Sequence, residues 1–249
     1  VLTWLSDQLE HLVHPSGGLV YHFRALQNSA TRWEPFRKQV ESWLNEWNPP
    51  GDHLLLMAPS GGYTLPLRWF SRFKTITALE LDPIARGIFS YRLKRALGKN
   101  APELLWVTED YLSPAQPQKL IELSKKIPKV PVLWSNVLGQ LNLDLPEEQT
   151  FPSQDWHHAF QEFIRNRSAA SYHDRLSGQT HDWDLAALHA IEKSSVPRSN
   201  QELAQFLTIS CVLTDHETEI FSKDFSSRQY SAWQISQEQS QLIEFCWKN

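Results

Sequence analysis

Between His53 and Trp134, four short apolar runs alternate with helix-like segments, and this alternation constrains the fold more than any other feature of the chain. His53-Leu54-Leu55-Leu56-Met57-Ala58 is apolar after its first residue and ends in turn residues, the pattern of a strand buried on both faces of a parallel sheet. Thr75-Ile76-Thr77-Ala78-Leu79, Leu104-Leu105-Trp106-Val107 and Val130-Pro131-Val132-Leu133-Trp134 repeat it. Between them lie a helical stretch turning Leu67 and Phe70 inward, a helix from Pro83 to Leu97, and a short helix from Lys119 to Lys126. Such alternation predicts a doubly wound, mostly parallel α/β sheet.

The flanking regions read differently. Trp4, Leu5, Leu9, Leu12 and Val13 keep one helical face, and Phe36, Val40, Trp43, Leu44 and Trp47 keep another. Asn48-Pro49-Pro50-Gly51-Asp52 then stops any helix, which sets residues 1–50 apart as a helical extension and residues 51–249 as the α/β domain. Beyond residue 150, Trp156, Ala159, Phe160, Phe163 and Ile164 form a helical stripe, and residues 169–173 read as a fifth strand. Residues 184–193 look helical, and Ser199-Asn200-Gln201-Glu202 has capping-box spacing. Residues 209–213 fit strand or helix equally, whereas Tyr230 to Ile235 and Gln241 to Trp247 read as two closing strands.

Composition excludes several classes. The 24 Lys and Arg against 28 Asp and Glu leave a formal charge of −4, so no global positive field draws the chain to nucleic acid or an anionic membrane. The apolar runs are far shorter than the roughly 20 residues of a bilayer span. The first residues lack the basic leader of a signal peptide. With only two cysteines, Cys211 and Cys246, a disulfide framework is excluded and a reducing cytosol is the expected compartment. Ten His include no His-Glu-x-x-His pair, so no metal ligand set is expected. The Arg and Lys of residues 51–100 fall on outer helix positions and read as a solvated face, and the Trp residues read as core.

Ligands of an open α/β sheet bind beyond the carboxyl ends of its strands. There the chain places Ala58-Pro59-Ser60-Gly61-Gly62 after the first run, Glu80 after the second, Asp110 after the third, and Asn136 to Gln140 after the fourth. Small residues let backbone approach a ligand, and an acid such as Glu80, 18 residues past Gly62, suits ribose hydroxyls.

This arrangement, from Leu54 to about Leu141, resembles the class I S-adenosylmethionine-dependent methyltransferases. Ala58-x-Ser60-x-Gly62 stands where that family has its glycine-rich loop, Glu80 where its ribose-binding acid stands, Asp110 where an acid meets the adenine amino group, and Asn136 at the end of its fourth strand. The resemblance implies a Rossmann-like sheet closed by an antiparallel C-terminal strand pair. It also implies S-adenosylmethionine held across the strand tips by Ala58, Ser60, Gly61, Gly62, Glu80, Asp110 and Asn136. The chain departs from the family at Ala58 and Ser60, which replace glycines, and at Leu56, which replaces an acid; Asn136 lacks a following Pro-Pro-Tyr.

Asn136, Gln140 and His173 are the expected catalytic residues, the amides to orient an acceptor and His173 as a base. Arg175 is the alternative there, as an anion clamp; a capped strand end with solvated charges is the plainer reading of both. Asp82 reads as a helix cap, and Tyr21-His22 with Arg24 as a lid or an ordinary amphipathic helix. The expected function is methyl transfer to an unidentified acceptor, a small molecule in preference to nucleic acid. A non-catalytic binding protein of the same fold is the alternative. An NAD-dependent oxidoreductase is weakened because no Gly-x-Gly-x-x-Gly follows the first run.

Overall fold

The computed structural model describes residues 18–141, 153–192, 196, 198–208 and 213–249. The expected helix through Trp4 to Val13 and residues 209–212 of the ambiguous segment 209–213 lie outside them. The described residues open with two helices, α1 (Gly18–Asn28) and α2 (Glu34–Glu46). The alternating section follows as β1 (His53–Met57), a 3-10 helix (Leu67–Arg72), β2 (Thr75–Leu79), α3 (Ala85–Leu97), β3 (Glu103–Val107), α4 (Gln118–Lys126) and β4 (Val132–Ser135). After α5 (Gln154–Ile164) come β5 (Ala169–Gln179), α6 (Leu185–Glu192), α7 (Asn200–Leu207), the two-residue β6 (Thr214–Asp215), α8 (Glu219–Ser222), β7 (Ser227–Gln234) and β8 (Gln239–Lys248).

The sheet runs in the order β3-β2-β1-β4-β5-β8-β7, with β6 paired to β5. The first five strands are mutually parallel, while β8 is antiparallel to both β5 and β7. β1 sits between β2 and β4, and its four core residues Leu54 to Met57 are completely buried, as its uninterrupted apolar run demands. One face of the sheet packs on α2 and the turn before it through Trp33, Phe36 and Trp43, which meet Trp233, Tyr172 and Phe245 from the strands. The other face packs on α4 and α5 through Leu120, Trp156, Phe160 and Phe163. Ser199 and Glu202 make the capping box that their spacing predicts, and Ser153 caps α5.

β5 is longer than the five-residue strand read from the sequence, because its charged centre is paired internally. Arg175 is 1% exposed and Glu244, from β8, is fully buried; the two form an ion pair. Arg175 Nε also donates to Asn200 Oδ1 at 2.6 Å and Nη2 to Arg198 O at 3.0 Å, and Ser222 Oγ donates to Glu244 Oε2 at 2.5 Å. Arg175 is therefore a structural residue and not a clamp for a substrate anion. Its burial also corrects the picture of a solvated strand end. Removing one partner of such a pair strands a charge in the core. Glu244→Ala is expected to cost about 3–5 kcal/mol of unfolding free energy in urea, and Arg175→Met/Glu244→Met together markedly less.

Candidate active site

At the carboxyl edge of the sheet lies a cleft of about 560 Å³, its open mouth included. Its walls come from five segments distant in sequence: the β1 loop (Ala58, Pro59, Ser60, Thr64), the tip of β2 (Glu80, Asp82), the tip of β4 (Ser135, Asn136, Gln140), Tyr172 of β5 and Trp233 of β7. Tyr21 of α1 closes it from above.

The β1 loop owes its shape to backbone conformations that side chains resist. Ala58 and Ser60 both have φ of 47° and Gly62 has 65°, so two residues with side chains adopt the left-handed conformation beside the glycine. Glu80 fixes this loop to β2: its Oε2 accepts the Ser60 N–H at 2.7 Å and its Oε1 the Asp82 N–H at 3.0 Å. Burial pushes the Glu80 carboxyl above the usual carboxylate range, although both N–H groups favour its charge. Gly61 and Gly62 leave no room for a side chain. A Cβ on Gly62 would lie 2.6 Å from the Phe89 ring of α3, and one on Gly61 would lie 2.5 Å from Tyr63 and 2.9 Å from Ile88.

At β4, Asn136 has φ of 53° and is held on two sides. Its N–H donates to Tyr172 O at 2.9 Å, and its Oδ1 accepts the Asp174 N–H at 3.1 Å, which leaves Nδ2 to the cleft. The Tyr172 hydroxyl lies 2.7 Å from Thr64 Oγ1 and 2.5 Å from Ser135 Oγ, and burial pushes its pKa up to about 12. Tyr172, Thr64, Ser135 and Trp233 were not among the residues expected here. Ser135 and Trp233 had only a position near a strand end as signal, and Thr64 had none.

α1 is latched over the cleft. His22 is buried, with Nε2 2.8 Å from Asp82 Oδ2 and Nδ1 3.1 Å from the Tyr63 hydroxyl. Asp82 Oδ1 also accepts the Ile84 N–H at 2.8 Å in the turn before α3, whose N-cap position is Ile84 and not Asp82 as the sequence suggested. Burial opposes the Asp82 charge, yet the bonds from His22 and Ile84 outweigh it and hold the carboxyl below its usual range.

Two expected site residues stand elsewhere. Asp110 accepts the Leu112 N–H at 2.9 Å in a local turn and does not line the cleft. His173 is fully buried on the strand face opposite to Tyr172, bonded through Nδ1 to Ser171 Oγ at 2.9 Å, with Nε2 3.8 Å from Glu244. Burial and then the neighbouring Arg175 push its pKa down to about 3, so it is a neutral core residue that cannot reach a substrate. Among the described residues no cluster of His, Cys, Asp and Glu can hold a metal ion, and no helix is long and apolar enough to cross a membrane.

The strand order, with five parallel strands and an antiparallel closing pair, decides the architecture. It is a doubly wound, Rossmann-like sheet with an antiparallel closing pair, as expected from the sequence. No family model matches the sequence, and no curated protein does. Solved structures similar to the chain include the N-methyltransferase NodS from Bradyrhizobium japonicum WM9, at 15% identity over 87% of this chain and 98% of that one, with a TM-score of 0.45. Another is the magnesium protoporphyrin IX methyltransferase from Synechocystis PCC 6803 solved with S-adenosylmethionine, at 9% identity over 96% and 89%, with a TM-score of 0.46.

Two measurements test this geometry. Ala58→Gly relieves a left-handed alanine at some extra unfolded-state entropy, so it is expected to raise stability by about 0.5–1 kcal/mol in chemical denaturation. The second concerns pH. The unfolded imidazole of residue 173 takes a proton near pH 6.5, whereas the folded one stays neutral down to about 3. Between these values the unfolded chain binds one more proton, so this group lowers stability as pH falls from 6.5, at up to ~1.4 kcal/mol per pH unit. His173→Asn should flatten that part of the stability–pH curve.

Proposed function

We propose that the chain binds S-adenosylmethionine across the tips of β2, β1 and β4 and passes its methyl group to a small-molecule acceptor, in the cytoplasm. The observation that carries this reading is the convergence, in one cleft, of Glu80, the left-handed Ala58–Ser60 loop and Asn136. Each Glu80 oxygen has one N–H partner and keeps a lone pair for a ribose hydroxyl. The carboxylates of Glu80 and Asp82 face the cleft and suit a cationic sulfonium. The donor set thus fits the cofactor at its ribose and sulfonium, while Asp110 supplies no contact to an adenine amino group in this conformation.

When bound, S-adenosylmethionine supplies a methyl group already activated for displacement. The protein's work is then alignment: the β1 loop and Glu80 hold one end of the cleft, Asn136 Nδ2 and Gln140 offer neutral contacts at its middle, and Tyr21 with α1 excludes water from above. With His173 withdrawn into the core, this mechanism suits an acceptor atom that is nucleophilic without a histidine base. The same withdrawal favours a second reading, a non-catalytic binder of the cofactor.

Glu80→Gln is expected to weaken S-adenosylmethionine binding by about 1.5–3 kcal/mol in calorimetric titration, with the fold retained. Asn136→Asp keeps the Oδ1 contact to Asp174 and loses the donor. In an enzyme it should lower kcat by about tenfold or more while cofactor affinity changes far less. Cofactor binding without any release of S-adenosylhomocysteine across a broad acceptor pool supports the binder.

A further inference from the structure

The two edges of the sheet are finished differently. At the β7 edge, Glu192 of α6 turns its Oε1 onto the outward N–H of Ala232 at 3.1 Å, so a side chain already occupies that rim. At the β3 edge the ladder stops open. β3 pairs with β2, from Thr75↔Glu103 to Leu79↔Val107, and its bonds to that side run through the odd-numbered residues: Glu103 N–H donates to Lys74 O at 2.8 Å, and Val107 O accepts the Glu80 N–H at 3.0 Å. A parallel ladder uses alternate residues of each strand, which turns the N–H and C=O of Leu104 and Trp106 outward; among the described residues nothing bonds to them. We infer that β3 is a docking edge for a second copy of this chain, the two β3 strands pairing antiparallel about Leu105 so that one sheet continues into the other.

Three observations fit that occupant. First, the register closes on itself. With Leu105 at the centre, Leu104 of each copy stands opposite Trp106 of the other, so every outward N–H and C=O of the two residues finds a partner, and the two Leu105 side chains meet in the close, non-hydrogen-bonded position. Second, Leu105 is 44% exposed, on the sheet face opposite to Leu104 and Trp106, whose side chains pack on the core. β3 also lacks the usual devices that keep strand edges apart: Glu103–Val107 contains no Lys and no Pro, and its pairing shows no bulge. Third, the approach to β3 is basic and its exit acidic. Lys99 before the strand and Glu109 after it are both exposed, while Lys126 donates to the Tyr111 hydroxyl at 2.7 Å. Antiparallel pairing sets Glu109 of each copy opposite Ala101 of the other, two residues from Lys99, and sets Glu103 opposite Val107 instead of a second acid. A second copy thus brings the opposite charge to both ends of the interface, which an unrelated strand has no reason to do.

The test is sedimentation velocity of the whole chain from about 10 µM to about 1 mM, the range for a weak interface of less than ~1,200 Å². A concentration-dependent monomer–dimer equilibrium is expected. Leu105→Lys, at an exposed position, should weaken it about tenfold or more by setting two lysines against each other. Lys99→Glu and Glu109→Lys should each weaken it, and the two changes together should restore it. A cross-link then reads the register. In a Cys211→Ser background, with Cys246 buried, Leu105→Cys places two thiols on Cα atoms about 4.5 Å apart, within the ~4.4–6.8 Å of a disulfide, whereas Glu103→Cys places them roughly 13 Å apart. Mild oxidation should give a covalent dimer with the first variant and not with the second. A chain that stays monomeric across the range overturns the docking edge. So does a dimer that Leu105→Lys leaves intact and Leu105→Cys fails to trap, an outcome that points instead to the exposed apolar side of α1 at Leu19, Phe23 and Leu26. Equal trapping by both cysteines marks random collision and overturns the antiparallel register.

Discussion

The cleft depends on β1 having parallel neighbours on both sides. With β2 and β4 hydrogen-bonded to it in the same direction, the chain must leave all three strands at one edge, which gathers Ser60, Glu80 and Asn136 although they are far apart in sequence. The Glu80 carboxylate then locks the gathering in place. By accepting the Ser60 N–H it ties the loop after β1 to the tip of β2, and so stabilises the left-handed backbone at Ala58 and Ser60 that side chains there disfavour.

A second set of constraints stands behind this edge. Asn136 is fixed between β4 and β5 by its own N–H and by Oδ1, and the next residues of β5 bury Arg175 against Glu244 of β8. The antiparallel closing pair is thus joined to the cleft through a continuous run of β5, from Tyr172 at the cleft wall to Arg175 in the core. On the opposite side of the site, α1 is held by a polar latch, His22 on Asp82 and Tyr63, with aromatic contacts around it. The walls are rigid where strands make them, and the cover rests on side chains.

The sequence by itself determined the sheet and the edge where chemistry belongs. Uninterrupted apolar runs such as Leu54 to Met57 have one stable environment, a strand covered on both faces, and their alternation with helical periods fixes a parallel, doubly wound order. Local grammar was equally legible in the capping box at Ser199 and Glu202. What only the tertiary structure decided is which strand-end residues face the cleft. Adjacent residues of a strand point to opposite faces, so Tyr172 and His173, neighbours in a polar cluster, were separated into a cleft wall and a neutral core histidine by pairing with β8. The full length of β5 was hidden for a related reason: Asp174 and Arg175 look like a solvated end until Glu244, distant in sequence, supplies the opposite charge. Tyr21 could be read as part of a lid or of an ordinary amphipathic helix, and only the approach of α1 and β7 to the same sheet edge brings it and Trp233 to the cleft.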